Sequence, residues 1–181
     1  MLLRICKALL LRLRHARILL FARRISLKRL DGIRHGNILV LCYGNIYRSP
    51  FVEQRFRVHL DERWMLRSAG FHKKTGRPCD PDYIPIAARY GGELTNHRSR
   101  CVNHEDIEWA DLIIIMDRKN YDQLEFSYPD ALDKVVWVAA ALDVRIPEVE
   151  DPYGKPQEQI EKLVRRMDDS VAAISALLKV G

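Results

Sequence analysis

Four consecutive apolar residues, Ile38-Leu39-Val40-Leu41, run without a break into Cys42-Tyr43-Gly44-Asn45-Ile46-Tyr47-Arg48-Ser49-Pro50. So short an apolar run, with no polar alternation, reads as a parallel strand buried on both faces. Ser49-Pro50 reads as a helix N-cap followed by proline at the first helical position. A buried strand joined by a tight loop to a helix N-terminus commits the neighbourhood to an α/β sheet. It also turns the loop N–H groups inward as an anion site. Arg48 adds a planar fork matched to phosphate oxygens. Thiolates are favoured in such positive surroundings, which makes Cys42 a candidate nucleophile facing a bound oxyanion. Phosphoryl transfer through a cysteinyl-phosphate needs that arrangement. Taken alone, Cys42 reads better as a core residue ending a strand, with Arg48 merely solvated.

The rest of the chain repeats the alternation of strand and helix. A helix is predicted over 50–62, with Phe51, Val52, Phe56 and Leu60 inward, then a strand over 64–69 before Gly70. Asp80 is a candidate N-cap for a helix over 81–91, and Asn103-x-x-Asp106 has the form of a capping box for a helix ending near Trp109. Leu112–Met116 and Val135–Val138 are further apolar strands, separated by a helix over 118–126. Residues 143–155 form a polar, proline-bearing loop, and a last helix from Pro156 carries apolar residues from Ile160 to Leu178 at helical spacing. The predicted fold is α/β: a three-layer, doubly wound sheet of four parallel strands with helices on both faces. Ligands in such sheets bind beyond the carboxyl ends of the strands, which is where Cys42 falls.

Charge separates the chain into two parts, predicted as a basic extension over 1–35 and a globular domain over 36–181. Residues 1–35 hold ten Lys/Arg and one acid, Asp31, whereas the remaining 146 residues hold 20 basic and 23 acidic side chains. The excess positive charge therefore belongs to the extension. Over 1–30 the spacing predicts an amphipathic helix with an apolar stripe of Leu2, Ile5, Leu9, Leu13, Ala16, Leu20 and Leu27, ended by Asp31-Gly32 and His35-Gly36. It suits peripheral contact with an anionic membrane; a disordered tail, or a segment lost from the mature chain, is the alternative reading. Nucleic-acid binding is disfavoured, because no aromatic platform accompanies the cations. Arginines interrupt every apolar run, so neither a spanning helix nor a secretory signal is expected. Cys6, Cys42, Cys79 and Cys101 form no CxxC pair, which fits a reducing compartment. His97-x3-Cys101-x2-His104 with Cys79 has zinc-ligand residue types at a spacing that matches no familiar site, and no metal is expected.

The string Cys42-Tyr-Gly-Asn-Ile-Tyr-Arg48-Ser-Pro resembles the phosphate-binding loop of the low-molecular-weight protein tyrosine phosphatases. Arg67-Ser-Ala-Gly70, His97-Arg-Ser-Arg100, Ala110–Asp117 and Asp151-Pro-Tyr153 extend the resemblance over residues 37–178. It implies a flavodoxin-like sheet and hydrolysis of phosphotyrosine without a cofactor. Cys42 would be the nucleophile, Arg48 the phosphate clamp and Asp151 the general acid. Residues Tyr43, Gly44, Asn45, Ile46, Tyr47, Arg48 and Ser49 would form the phosphate cradle. Tyr43, Ile46 and Tyr153 would line the phenol pocket. Asn45 would hold the loop in shape, His97 would brace Asn45, and Ser49 would stabilise the leaving thiolate. Gly154 follows Tyr153 where vertebrate members have a second tyrosine, so the resemblance is to bacterial members. Tyr47 stands where members commonly carry a second cysteine, which would leave an oxidised Cys42 without a disulfide partner beside it.

By the same analogy, the expected partner is a phosphotyrosine protein, such as a membrane tyrosine autokinase of exopolysaccharide synthesis. The expected location is cytoplasmic, peripheral at the inner face of the membrane. Protein-arginine phosphatases and arsenate reductases share the loop and are the enzymatic alternatives. The former carry threonine where Ile46 stands, and the latter need relay cysteines. A non-catalytic phosphotyrosine-binding protein is the remaining alternative, opposed by the joint presence of Cys42, Arg48 and Asp151.

Overall fold

A computed structural model describes the chain over residues 2–179 and its side chains from residue 13 onward. Four parallel strands form one sheet: β1 (Gly36–Cys42), β2 (Trp64–Gly70), β3 (Leu112–Ile115) and β4 (Val135–Trp137), in the order β2-β1-β3-β4. β1 sits in the interior of the sheet, and its residues Ile38–Cys42 are all buried, which is why the sequence there shows no alternation. Side-chain parity divides the core into two layers. Ile38, Val40, Ile114 and Val136 pack with the helices α2 (Arg48–His59) and α6 (Gln157–Lys179). Leu39, Leu41, Ile113 and Trp137 face α4 (His104–Trp109) and α5 (Arg118–Ser127).

This is the predicted three-layer fold, with the flavodoxin-like order. The chain leaves β1 toward one edge and crosses back past it to β3. The crevice therefore opens at the carboxyl end of β1, where Cys42 lies.

The Asn103 capping box forms as expected, with the Asn103 side chain accepting from Asp106 N and the Asp106 side chain from Asn103 N. The predicted helix over 81–91 contracts to α3 (Ile84–Ala88). Asp80 does not cap it. The Asp80 carbonyl instead accepts from Tyr83 and Ile84, making a turn ahead of the helix, and Gly91 at φ +77° follows it. A 3-10 helix over Pro129–Lys134, absent from the sequence reading, leads into β4.

The basic segment forms the predicted helix, α1 (Leu2–Leu30), and it joins the domain through a face other than the apolar stripe. Ala22, Ser26 and Leu30, spaced by four, are its buried residues, with Ile18 and Leu19 partly buried. Leu13 and Leu20 of the stripe are 59% and 74% exposed, Ala16 is exposed and Leu27 half-buried; Leu2, Ile5 and Leu9 lie outside the residues whose side chains are described. The reason is the sheet edge. β4 has no strand on its outer side, and an open edge must be covered or blunted. The Ser26 hydroxyl accepts from Trp137 N at 3.0 Å and donates to the Ala22 carbonyl at 2.8 Å, while Arg29 donates to the Val135 carbonyl. A short polar side chain and an arginine can satisfy strand backbone; leucines cannot.

Ser26→Ala removes the acceptor for a buried N–H, which costs about 1–3 kcal/mol. Urea denaturation should show a stability loss in that range, and an unchanged midpoint would mean that the Ser26–Trp137 bond contributes nothing to folding.

Candidate active site

Residues 43–47 leave β1 and arch over the Cys42 sulfur before α2 begins. Asn45 carries the turn: its φ is +52°, the left-handed region that non-glycine residues other than Asn and Asp rarely adopt. This conformation brings Asn45 N to 3.1 Å from Cys42 Sγ. The buried Asn45 side chain then ties the loop to three other segments. Its Nδ2 donates to Ser49 Oγ (2.9 Å) and Ser68 Oγ (3.0 Å), and its Oδ1 accepts from Arg100 N (3.0 Å). His97 Nε2 meets the Asn45 carbonyl at 2.8 Å, so the predicted brace is present through the backbone. Burial holds the His97 pKa below the ordinary histidine value, against the opposing pull of that hydrogen bond. The neutral ring therefore carries its proton on Nε2 and donates it to the loop.

Ser49 is not the N-cap that the sequence suggested. α2 begins at Arg48, with Tyr47 in the cap position and no side chain capping it. One residue inside the helix, the Ser49 hydroxyl points back to the sulfur, with Oγ 3.0 Å from Cys42 Sγ and 3.3 Å from the Ala69 carbonyl. Among the described residues, no protein acceptor takes the N–H groups of Gly44, Ile46, Tyr47 or Arg48. Unpaired amides at a helix N-terminus are an anion site.

Gly70, at the end of β2, makes the arch possible. A Cβ there would lie 2.8 Å from the Tyr43 carbonyl oxygen and 2.9 Å from Asn45 N.

Arg48 is 1% exposed, and its guanidinium is held between two carboxylates: Nη1 lies 2.6 Å from Asp117 Oδ2 and Nη2 2.7 Å from Asp151 Oδ2. Nη1 also donates to the Val149 carbonyl at 3.1 Å, and Nε has no partner among the described residues. Burial opposes its charge, but Cys42, Asp151 and Asp117 together raise its pKa above the ordinary arginine value. Asp117 went unnoticed as a site residue in the sequence reading. The available signal was its place just beyond the carboxyl end of β3, beside the end of β1.

Cys42, Tyr43, Gly44, Ile46, Tyr47, Arg48, Asp151 and Tyr153 line a single cavity of about 290 Å³. Every residue predicted for the catalytic triad and the pocket thus comes together, with Asn45, Ser49 and His97 supporting it from behind. Tyr153 (75% exposed) and Tyr43 (51% exposed) stand at the mouth, while Asp151 Oδ1 accepts from Tyr153 N at 3.2 Å. Tyr47 is turned inward: its hydroxyl donates to Asp80 Oδ2 at 2.7 Å and its ring meets Tyr83 edge-on. His72 and Arg77 complete the wall, Arg77 Nη2 donating to the Gly44 carbonyl at 2.5 Å; neither was expected from the sequence. The residues considered for zinc are engaged elsewhere, His97 on Asn45 and His104 edge-on to Tyr128.

A thiol at the base of an amide cradle, rimmed by a guanidinium and a carboxylate on a parallel sheet, defines the class of site. Comparison with known proteins agrees. The sequence profile described as "Low molecular weight phosphotyrosine protein phosphatase" matches residues 37–180. The probable low molecular weight protein-tyrosine-phosphatase EpsP of Ralstonia nicotianae is 30% identical over 144 residues, covering 77% of this chain and 97% of that protein. The phosphatase Wzb of Escherichia coli K12 is 34% identical over 125 residues, covering 67% and 81%. Among solved structures, Wzb of Escherichia coli K30 in complex with sulphate superposes with a TM-score of 0.72 at 26% identity, over 78% of this chain and 97% of that one. The YwlE arginine phosphatase of Geobacillus stearothermophilus, at 23% identity and TM-score 0.71 over 78% and 91%, shares the fold. The chain belongs to the low molecular weight protein tyrosine phosphatase family.

Two outcomes test this geometry. Gly70→Ala forces the loop backbone outward, and overpacking of this kind costs about 1–3 kcal/mol; thermal melting should register that loss together with weaker binding of inorganic phosphate. Folded His97 binds its proton less readily than an exposed histidine of pKa ~6.5, and His59 shifts in the same direction through burial and then Arg55. The unfolded chain therefore holds more protons as pH falls below about 6.5, so stability is full above that value and declines through the folded-state titration. His97→Gln should flatten the decline in urea midpoint between about pH 7.5 and 5.5; an unchanged slope would remove His97 from this account.

Proposed function

We propose that the chain hydrolyses phosphotyrosine in protein substrates through a cysteinyl-phosphate intermediate. The observation that carries this reading is the meeting of Cys42, Arg48 and Asp151 at one cavity, with Asn45 N and Ser49 Oγ on the sulfur.

An entering phosphate dianion competes with Asp151 for the Arg48 guanidinium. Arg48 and the unpaired loop amides take the equatorial oxygens, and Asp151 is released toward the phenolic oxygen. The Cys42 thiolate attacks phosphorus from the side opposite that oxygen. As the S–P bond forms, the P–O bond to the phenol breaks, and Asp151 in its acid form gives its proton to the departing oxygen. In the second step Asp151, now a carboxylate, takes a proton from water. The water oxygen attacks phosphorus, the S–P bond breaks, and inorganic phosphate leaves. The Ser49 hydroxyl, 3.0 Å from the sulfur, supports the thiolate as its charge returns.

Specificity for an aryl ester rests on the walls. Ile46, Tyr43 and Tyr153 form an apolar and aromatic collar suited to a phenyl ring. The apolar Ile46 favours phosphotyrosine over phosphoarginine. An arsenate-reductase relay would need a second reactive thiol. The nearby buried Cys79 is a poor one, its pKa pushed up to about 12 by burial and then by the charge of Cys42. The names EpsP and Wzb belong to relatives of this chain. By analogy with bacterial members, the substrate proposed here is a tyrosine autokinase of polysaccharide export.

Turnover of an aryl phosphate tests the chemistry. Cys42→Ser should abolish it, and Asp151→Ala should lower kcat by about 10²–10⁴-fold with KM little changed. Phosphotyrosine peptides should be consumed faster than phosphoarginine peptides. Turnover surviving in Cys42→Ser, or a preference for phosphoarginine, would overturn the proposal.

A further inference from the structure

The matched family region begins at residue 37, yet α1 lies ahead of it and is bonded to the domain edge along its C-terminal half. With Ala22, Ser26 and Leu30 turned inward, a second face is left outside. Leu13 and Leu20, seven residues apart, line one side of it, with the half-buried Leu27 seven further on. Phe21 (43% exposed) and Ile25 (45% exposed) line the other side. Between these apolar rows runs a strip of Arg17, Arg24 and Lys28. None of the three has an ion-pair or hydrogen-bond partner among the described residues, in contrast to Arg14 on Glu125, Arg23 on the Leu142 carbonyl and Arg29 on the Val135 carbonyl.

We infer that this outward face of α1 docks the protein on an anionic lipid bilayer. A bilayer interface accepts both components at once: apolar side chains enter the acyl boundary while cations stay at the anionic headgroups. The other occupants suit the face less well. A second copy laid face to face would oppose three unpaired cations with three more. A nucleic acid would engage the cations but leave Leu13, Leu20 and Phe21 in water. The charge division supports a bilayer too. Residues 1–35 hold ten cations against one acid, whereas residues 36–181 hold 20 basic and 23 acidic side chains, so α1 is the part of the chain an anionic surface attracts.

The packing gives the docked protein a direction. Arg29 reaches Val135, Ser26 reaches Trp137 and His15 lies against Arg118, the first residue of α5 beyond β3, so α1 runs antiparallel to β4. Its N-terminal end therefore points toward the carboxyl end of the sheet, the end at which the Cys42 loop opens. A chain held by α1 presents its phosphate loop alongside the bilayer, within reach of juxtamembrane segments. The inference does not rest on the catalytic reading, since lipid binding is measured without turnover.

Co-sedimentation of the full chain with phosphatidylglycerol-rich vesicles, compared with pure phosphatidylcholine vesicles at about 0.1 M salt, is the test. The chain should pellet with the anionic vesicles only. Replacing Arg17, Arg24 and Lys28 together by Gln should weaken that binding about a hundredfold, from ~1 kcal/mol per cation near the surface. Leu13→Asp with Leu20→Asp should abolish it. A parent-level circular dichroism spectrum and thermal midpoint in both variants show that they are folded. The inference is overturned if the parent stays in the supernatant, pellets equally with both vesicles, or keeps its binding in the variants. Self-association through Leu13 and Leu20 in lipid-free sedimentation velocity, or tighter binding to an oligonucleotide than to vesicles, also overturns it.

Discussion

The site depends on one residue, Asn45, held in a left-handed backbone conformation that few residues other than glycine, asparagine and aspartate adopt. Asn45 sits at φ +52°, and left-handed geometry costs a non-glycine residue roughly 1 kcal/mol. Four hydrogen bonds from its side chain and carbonyl hold it there, drawn from α2, β2, and the His97–Arg100 segment. Each removes a buried polar group that would otherwise lack a partner. The result is a loop that sets the Asn45 amide on the Cys42 sulfur and leaves its neighbouring amides without protein acceptors among the described residues. Pre-organised dipoles need little rearrangement as charge develops, and electrostatic catalysis relies on that.

The buried Arg48 is the second constraint. A guanidinium almost wholly removed from water requires compensation, and Asp117 and Asp151 supply it from two different segments. Their surroundings differ. Asp117 is fixed as the N-cap of α5, its Oδ1 accepting from Asn120 N, whereas Asp151 is 44% exposed in a loop. One carboxylate can thus hold the arginine while the other is free to exchange it for phosphate. The catalytic acid proposed here belongs to the more exposed of the two environments, where it can face different partners in successive steps.

The N-terminal helix shows how a chain-specific element can join a fold without disturbing its site. The sheet edge beside α1 is β4, and α1 covers it with Ser26 and Arg29, each bonded to main-chain atoms of the strand, while Arg23 bonds to the Leu142 carbonyl beyond it. Because the packing face is centred on Ala22, Ser26 and Leu30, Leu13, Leu20 and, among the described side chains, Arg17, Arg24 and Lys28 are left facing outward.

Much of this was written locally. The unbroken apolar run of β1, the capping box at Asn103 and the helical spacing of α6 each name their element, because period and cap chemistry act within a few residues. Cys42, Arg48 and Asp151 are legible from short motifs, since the nucleophile, clamp and acid proposed here must be particular residue types. Other features required the chain to be folded. Ser49 reads as a helix cap, and only the arch over Cys42 turns its hydroxyl onto the sulfur. Asp117 reads as the end of a strand, and only the β1–β3 pairing puts it on Arg48. The leucine stripe of α1 is legible from its spacing, but the face that joins the domain is not: the open edge of β4 asked for hydrogen bonds and selected Ser26. Periodicity reports which faces a helix has; which of them is buried is decided by the surface it meets, and that surface is assembled from residues more than a hundred positions away.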